Sequence, residues 1–270
     1  QGGRLMGNYH PKPPPQECGE SIAAKNRKRF YLTFTDLGVL VPHFTELLQW
    51  IHSGESKSSG YEAANRGTKP GGGIRHGKGK YKPETHFGKK FVEMTVKEVR
   101  CTQKPYTEGK GKKKKTFDER GNCPDIAKYD SKNHYLAVGK YQLIPGTLAS
   151  AVNRLSKHSD FDPETQLFDA STQERFGLYT ILVKRPMIAN YLVDNHDNTC
   201  NAAQYLALEY ASVGLQYATG SDGRGDAFKQ KHGNKAKHTP EEAYAMLKRT
   251  KENLQSNTSA MEVLKKYKVK

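Results

Sequence analysis

The chain has 270 residues, with 44 Lys and Arg against 28 Asp and Glu, a formal net charge of +16 and 35% hydrophobic residues. This length suffices for one large domain or two small ones with a buried core, and every apolar run is shorter than the roughly 20 residues that cross a bilayer. The charge favours a polyanionic partner: nucleic acid, an anionic lipid surface or a bacterial envelope. The N-terminal segment lacks the apolar stretch of a secretory signal, so we expect no signal peptide in this chain.

The first part of the chain is predicted to hold a flexible arm and one helix. Residues 1–28 are rich in proline and polar residues, as a linker is, and 29–40 alternates in part, as a short strand or an extended segment does. A helix is predicted over 42–52 from apolar residues at positions i, i+3, i+4 and i+7. Gly54 is expected to stop this helix, so that Glu55 lies just past its C-terminus.

The later helices are predicted from capping residues and helical periodicity. Three capping boxes, each a Ser or Thr followed three residues later by Glu, begin at Thr95, Ser171 and Thr239. Pro145 opens another helix, and an apolar run over 201–213 predicts one that is largely buried. With a small sheet in the loop-rich region after the first helix, the fold class is α+β and mainly helical.

Basic residues are concentrated in two glycine- and lysine-rich segments, 66–90 and 104–122. Such runs are usually solvated loops, and the functional alternative is adhesion to a polyanion that weakens as salt rises. No nucleic-acid-binding signature accompanies the charge, so no specific nucleic acid is expected. Cys101 and Cys123 bracket the second segment. A disulfide between them would imply an oxidising compartment, and separate reduced thiols are the open alternative.

One stretch, 52–68, places a carboxylate beside a turn of glycine and serine and follows it with Tyr61 and Asn65. The negative end of the preceding helix dipole and partial burial would both raise the pKa of Glu55, as a general acid at neutral pH requires. The alternative is a solvated carboxylate on a loop.

A second stretch, 137–148, combines a glycine with Tyr141 and Gln142 ahead of a helix. Glycine permits close approach of a ligand to the backbone. The glutamine amide offers both a donor and an acceptor, as sugar hydroxyl and N-acetyl groups require. The alternative is a loop that only introduces the helix.

Several longer patterns contain these stretches and occur in one order along the chain. They are I-x-x-x-E-S from Ile51, G-Y-x-x-x-N-R-G from Gly60, A-V-G-K-Y-Q-x-I-P-x-T-L from Ala137, K-R-P-x-I-x-x-Y-L from Lys184, A-x-x-L-A-x-E-Y-A-S-V from Ala203 and G-N-K-A from Gly233. In these patterns the chain, over about 44–250, resembles the lysozyme-like peptidoglycan-cleaving domains of phage endolysins, phage tail proteins and secreted antibacterial effectors.

The resemblance implies a lysozyme-like catalytic domain over 29–258, followed by a basic C-terminal tail at 259–270. It also implies cleavage of the β-1,4 bond between N-acetylmuramic acid and N-acetylglucosamine, which is muramidase activity. Glu55 then corresponds to the catalytic acid, and Tyr141 and Gln142 correspond to the floor of the sugar cleft. Two segments depart from the family pattern. The lysine-rich insert 104–122 is not part of that pattern, and the Gly/His-rich stretch 69–90 is longer than the resemblance predicts.

The second catalytic group is left open by the sequence. An inverting hydrolase needs a second carboxylate about 6.5–9.5 Å from the first, and a retaining one about 5–5.5 Å. Glu62 is the nearest carboxylate after Glu55, and Tyr61 and Asn65 are further substrate-binding candidates from the same stretch. If no second carboxylate serves, the resemblance implies a lytic transglycosylase, in which Glu55 acts as acid and then as base and the product carries a 1,6-anhydro ring.

No cofactor is expected, and a calcium site at Asp222 and Asp226, or at Asp194 and Asp197, is the weaker alternative because neither pair has EF-hand spacing. Peptidoglycan is the expected partner, with a cognate immunity protein if the chain is an effector. We expect a monomer that is delivered to the periplasm or cell wall of a target bacterium. The rival functions are a wall-binding module without catalysis and a nucleic-acid-binding protein.

Overall fold

The computed structural model describes residues 28–68, 74–108, 114–117, 123, 134–193, 198–229 and 234–269. These residues form a mainly helical α+β structure, as the sequence predicts. The helices are α1 (Phe34–Leu40), α2 (Thr45–Glu55), α3 (Pro83–Phe87), α4 (Val96–Cys101), α5 (Pro145–Leu155), α6 (Ala170–Tyr179), α7 (Pro186–Val193), α8 (Thr199–Glu209), α9 (Pro240–Gln255) and α10 (Thr258–Leu264). A π-helical turn (Thr180–Lys184) joins α6 to α7. None of the described helices is long and apolar enough to cross a membrane.

The strands are short and antiparallel: β1 (Lys28–Phe30), β2 (Ala64–Thr68), β3 (Ile74–His76), β4 (Tyr106–Glu108), β5 (Lys115–Phe117), β6 (Ala137–Val138) and β7 (Tyr267–Val269). They form a β3-β2-β6 sheet and two hydrogen-bonded pairs, β1-β7 and β4-β5. The three-stranded sheet confirms the small sheet that we expected after the first helix. In its register Asn65 lies opposite Ala137, so the stretches 52–68 and 137–148 meet on neighbouring strands.

The core is built on the apolar faces of the helices. On α2 the stripe predicted from periodicity is buried, since Leu47, Leu48 and Ile51 have at most 1% of their surface exposed. Helices α6 and α8 contribute further buried side chains, among them Phe176 and Leu206. Each such side chain stabilises the fold by roughly 1.5–3 kcal/mol through loss of apolar contact with water. This packed core sets the positions of α2 and α8, whose C-terminal ends carry the glutamates described below.

Two of the three predicted capping boxes are confirmed. Thr95 and Thr239 each cap a helix, and the glutamate three residues later bonds back to the cap in both. The third prediction, at Ser171, is wrong, because Asp169 is the N-cap of α6 and its side chain accepts from the Thr172 N–H at 2.8 Å. The glutamate assigned to that box, Glu174, is used instead in a tertiary contact.

Several predicted boundaries also change. Helix α2 does not stop at Gly54 but runs through it to Glu55. Gly54 is buried, and a methyl group there would lie 2.6 Å from the Ser212 Cβ. The glycine therefore permits close approach of two segments rather than ending the helix. Within 29–40, the expected extended segment contains the helix α1, which is capped by Thr33.

The helix predicted over 201–213 ends earlier, because α8 stops at Glu209. The residues that follow it turn away from the helix axis and are held by the segment that precedes α9. There the Ser212 carbonyl accepts from the backbone N–H groups of Lys237 and His238 at 2.7 and 2.9 Å. Because α8 ends at Glu209, Ser212 lies outside the helix and faces α2.

The C-terminal segment is packed rather than separate, which differs from the expected tail at 259–270. Ala260 and Leu264 on α10 are fully buried, and β7 pairs with β1 across Phe30 and Tyr267. Apolar residues on one face of a helix are buried only against another element. The expected arm at 1–28 lies outside the described residues except for Lys28, which belongs to β1.

The disulfide between Cys101 and Cys123 is present. It joins the C-terminal end of α4 to the far side of the lysine-rich segment, at a sequence separation of 22 residues. A closed loop of that length stabilises a fold by about 3 kcal/mol in the chain-entropy account. Most of the lysine-rich segment itself lies outside the described residues.

Candidate active site

A cleft with a volume of about 360 Å³ is lined by the end of α2, strand β2, the turn before α5, the π-helical turn and the end of α8. Its size is that of a small-ligand site. Four of the residues singled out from the sequence line it: Glu55, Asn65, Tyr141 and Gln142. Other polar lining residues that the structure describes are Thr147, Thr180, Lys184, Arg185, Glu209, Tyr210, Lys229 and Asn234.

Glu55 is the last residue of α2. Among the described residues, Ser212 is the one that donates hydrogen bonds to its carboxylate. Its Oε1 accepts from the Ser212 backbone N–H at 3.1 Å and from the Ser212 Oγ at 2.6 Å. Burial raises the pKa of Glu55, and the negative charge of Glu209 acts in the same direction. The two Ser212 hydrogen bonds and the Lys237 ammonium lower this pKa by less, so the net shift is upward.

Ser212 owes its position to contacts on both sides. Behind it, Gly54 leaves room for its side chain. Beside it, Lys237 donates to the Gly54 carbonyl, and the rings of His238 and Trp50 stack with centroids 4.2 Å apart. The segment before α9 is thereby fixed against α2, and Ser212 presents its two donors to the glutamate.

Glu209 ends α8 and lies on the same cleft, but its partners are cations. Lys184 donates to its Oε1 at 2.6 Å, and the Arg185 Nε donates to its Oε2 at 2.7 Å. Lys184 also donates to the Thr147 hydroxyl at 2.6 Å, which fixes the ammonium at the cleft wall. With 8% of its side chain exposed, Glu209 is a buried carboxylate whose two oxygens are both engaged.

The phenol of Tyr210 senses the charges of both glutamates. Burial raises the pKa of its phenol, and the charges of Glu209 and Glu55 both raise it further. Neither Glu209 nor Ser212 was singled out from the sequence. Both stand inside the A-x-x-L-A-x-E-Y-A-S-V pattern, so the pattern is the signal that could have indicated them.

The turn that carries Tyr141 and Gln142 is strained. Gly139 has a φ of 74°, and Gln142 has a φ of 49°, which is uncommon for a residue with a side chain. Lys229, with a φ of 58°, is the other non-glycine residue with a positive φ in the described part of the chain, and it lines the same cleft. Backbone strain of this kind concentrates at functional sites.

Tyr61 lies outside the described lining of the cleft and belongs to a buried cluster behind it. The Tyr61 hydroxyl donates to the Glu174 Oε1 at 2.7 Å, and the Tyr141 hydroxyl donates to the other oxygen of Glu174. Lys140, with 3% of its side chain exposed, pairs with the same carboxylate at 2.5 Å. The cluster raises the pKa of both phenols through burial and the Glu174 charge. It fixes the ring of Tyr141 at the cleft floor.

Glu62, the sequence candidate for a second catalytic carboxylate, is directed to the backbone. Its oxygens accept from the N–H groups of Phe91 at 2.7 Å and Val92 at 3.1 Å, and it is not among the described residues that line the cleft. Asn65 does line the cleft, and its side-chain oxygen accepts from the Gly67 N–H at 2.8 Å. The second carboxylate that the structure brings to Glu55 is therefore Glu209, not Glu62.

The proposed calcium ligands are also used locally. Asp222 accepts from the Lys229 N–H at 2.8 Å, and Asp226 accepts from the Gly223 N–H at 2.7 Å. No group of three or more His, Cys, Asp or Glu side chains suited to a metal occurs in the part of the chain that was described. Asp194 and Asp197 lie outside the described residues.

Comparisons with protein-family models, with curated proteins and with solved structures found no match. The chemistry available to the cleft is that of its own residues. It offers one half-buried carboxyl group with a raised pKa, one carboxylate paired with two cations, and amide groups from Asn65, Gln142 and Asn234. This combination suits proton donation to a neutral, hydroxyl-rich ligand.

Proposed function

We propose that this protein cleaves the glycan strands of peptidoglycan at the β-1,4 bond between N-acetylmuramic acid and N-acetylglucosamine, with Glu55 as the general acid. The observation that carries the proposal is a glutamate with a raised pKa, held by Ser212 at the wall of a cleft. In its neutral form such a carboxyl group donates a proton to the glycosidic oxygen as the bond breaks.

The rest of the cleft supports a sugar as the ligand. The amides of Asn65, Gln142 and Asn234 supply donors and acceptors for hydroxyl and N-acetyl groups. Tyr141, with 3% of its surface exposed, shapes the wall of the cleft and is held in place by its bond to Glu174. The motif order that resembles peptidoglycan-cleaving domains agrees with this ligand.

Two features of the whole chain support a bacterial envelope as the place of action. The disulfide between Cys101 and Cys123 is of the kind that persists in oxidising compartments such as the periplasm. The net charge of +16 favours adhesion to an envelope that is rich in carboxylate and phosphate groups. Delivery to the wall of a target bacterium, and inhibition by an immunity protein, belong to this proposal.

The test is the release of soluble muropeptides from purified peptidoglycan by the Glu55→Gln variant. Loss of general acid catalysis lowers a rate by roughly 10²–10⁴-fold, so we expect a loss of that size with the fold retained. Glu46→Gln is the matched control, because Glu46 lies on the same helix, is half exposed and pairs with Arg249. Full activity in Glu55→Gln would overturn the proposal.

A lytic transglycosylase is the second candidate, and one observation favours it. Both oxygens of Glu209 are engaged by Lys184 and Arg185, which leaves Glu55 as the carboxyl group in the described cleft that can act as acid and then as base. Mass spectrometry of the released muropeptides separates the two reactions, because a transglycosylase leaves a 1,6-anhydro end and a hydrolase leaves a reducing end.

The rival functions give different results in the same assay. A wall-binding module sediments with peptidoglycan but releases no muropeptides. A nucleic-acid-binding protein is retained on DNA in a salt-sensitive manner and leaves the wall intact.

A further inference from the structure

A second cavity, with a volume of about 720 Å³, lies between β1 and α5. We call it the basic cavity, because its described lining includes Arg29, Arg154, Lys157 and Lys184 and no acidic residue. His158 adds a fifth basic group. Lys184 is paired with Glu209. The other three cations have no carboxylate partner within the described residues, and together they create a local positive potential that attracts an anion.

The cations of the basic cavity are arranged on fixed and exposed parts of its wall. Arg154 on α5 donates from its Nη2 to the Phe30 carbonyl at 2.9 Å, and its guanidinium lies 5.2 Å from the centre of the Tyr31 ring. These contacts set the plane of the guanidinium. Arg29 and Lys157 are exposed at the rim, and within the described part of the chain neither forms an ion pair with a carboxylate.

The basic cavity adjoins the cleft that contains Glu55. Lys184 lines both of them, and the consecutive residues Gly146 and Thr147 at the start of α5 line the basic cavity and the cleft respectively. One branched ligand could therefore lie in the cleft with its main chain and reach the basic cavity with its branch.

The polar groups of the basic cavity indicate what that branch is. Guanidinium groups bind carboxylates through a planar pair of N–H donors, and Arg29 and Arg154 supply two such groups. Ser150 and Asn153 add neutral polar groups that suit amide bonds, and the exposed ring of Tyr31 adds aromatic surface. A peptide with free carboxylates satisfies all of these groups, whereas the sugar backbone carries no charge for the cations.

We propose that the basic cavity binds the carboxylate-bearing peptide branch of the peptidoglycan strand whose glycan occupies the cleft. This inference rests on the proposed function, because the peptide branch reaches the basic cavity only when the glycan that carries it is bound in the cleft. The cavity thus selects peptide-substituted strands over bare glycan and adds affinity without taking part in the chemistry at Glu55.

The experiment measures binding rather than cleavage. The Glu55→Gln protein is sedimented, at low and at high salt, with intact peptidoglycan and with glycan strands stripped of peptide by an amidase. The lactyl carboxylates that the amidase frees are first amidated, so that the stripped strands carry no charge. The test variant adds Arg29→Glu and Lys157→Glu, two exposed positions. The control adds Lys248→Glu and Lys265→Glu, which are also exposed, cause the same change in net charge and line neither cavity.

We expect the test variant to lose roughly tenfold in affinity for intact peptidoglycan at low salt, with a smaller loss at high salt. Its affinity for stripped glycan should match that of the control. An equal loss on both polymers, an equal loss in the control, or no loss would overturn the inference and leave the proposed function intact. Reduced retention on DNA with unchanged affinity for peptidoglycan would show that the cavity binds phosphates instead.

A soluble peptide branch separates failure of the inference from failure of the proposed function. The free branch peptide, without sugar, is titrated into the wild-type protein and followed by chemical-shift changes of α5. Binding that the Arg29→Glu, Lys157→Glu pair abolishes supports the cavity even if no muropeptides are released. Absence of peptide binding, in a protein that does release muropeptides, overturns the inference alone.

Discussion

Glu55 at the end of α2 and Glu209 at the end of α8 line one cleft, and their surroundings differ in kind. Glu55 accepts from the backbone and hydroxyl of Ser212, which are neutral donors, while Glu209 is paired with the ammonium of Lys184 and the guanidinium of Arg185. Neutral donors compensate a buried carboxylate only in part, so burial dominates and the pKa of Glu55 rises. The same residue type thus has a raised pKa, which suits a proton donor, in one place and two cationic partners in the other.

The two glutamates also differ in their effect on the stability of the fold. An ionised Glu55 is unfavourable in its buried position, so the fold carries it at the expense of stability, as active sites often do. Glu209 joins the π-helical turn to α8 through its two ion pairs and fixes the wall that Lys184 shares with the basic cavity. Substituting each glutamate in turn measures this difference in stability.

The largest expected effect is on stability, in Glu209→Gln. The substitution keeps the shape of the side chain but leaves Lys184 and Arg185 without their carboxylate, and removing one partner of a buried pair destabilises a protein by about 3–5 kcal/mol. Because about a quarter of each cation is exposed (27%), we expect a value near the lower end. Urea unfolding at neutral pH measures it.

Glu55→Gln is the matched variant for that measurement. It makes the same chemical change in the same cleft, but no cation loses a direct ion pair, so we expect no loss of stability. Equal destabilisation of the two variants would contradict the assignment of Glu209 as a fixed charge and Glu55 as a group that is buried at a cost.

The sequence indicates the local parts of this arrangement. The stripe of Leu47, Leu48 and Ile51 on α2 and the capping boxes at Thr95 and Thr239 depend on residues within one or two helical turns, and the structure has both. Ser171 fails because Asp169, two residues earlier, caps the same helix, and because Glu174 is taken by a buried lysine from another segment. Local rules describe one segment and do not include that competition.

The same limit applies to the site. Glu55, Tyr141 and Gln142 could be singled out because a carboxylate at the end of a helix and a glycine before a polar turn are local signals. The partner of Glu55 could not, because Ser212 reaches it only through the early end of α8 and the absence of a side chain at Gly54. The pairing of β1 with β7 is likewise a contact between the two ends of the described chain and has no local signal.

An intermediate effect is expected in Ser212→Ala, which removes one of the two donors and keeps the Cβ that packs on Gly54. The hydroxyl favours the ionised form of Glu55, so its loss raises the pKa of that carboxyl further. A general acid is lost as pH rises through its pKa, and the alkaline limb of the activity profile should therefore move to higher pH. Muropeptide release measured across pH gives the limb.

Ser256→Ala is the control for that shift. Ser256 is exposed at the end of α9, donates to the Asn253 carbonyl at 2.8 Å and lines neither cavity. Its profile should match the wild type. A limb that moves to lower pH in Ser212→Ala would mean that Ser212 does not stabilise the carboxylate.

The smallest expected effect is a gain in stability in Glu55→Gln. We expect this gain to depend on pH, because the wild-type carboxyl group titrates and the glutamine does not. The folded protein holds the Glu55 proton more tightly than the unfolded chain, whose carboxyl has the ordinary pKa of 4.5. The wild type therefore loses stability as pH rises from that value through the higher pKa of the folded state. Glutamine does not titrate, and its oxygen still accepts from Ser212. The melting temperature of the variant should equal that of the wild type in acid and exceed it at neutral pH, by about 2–4 °C for each kcal/mol gained. A difference that stays constant with pH would mean that packing, not the charge of Glu55, sets it.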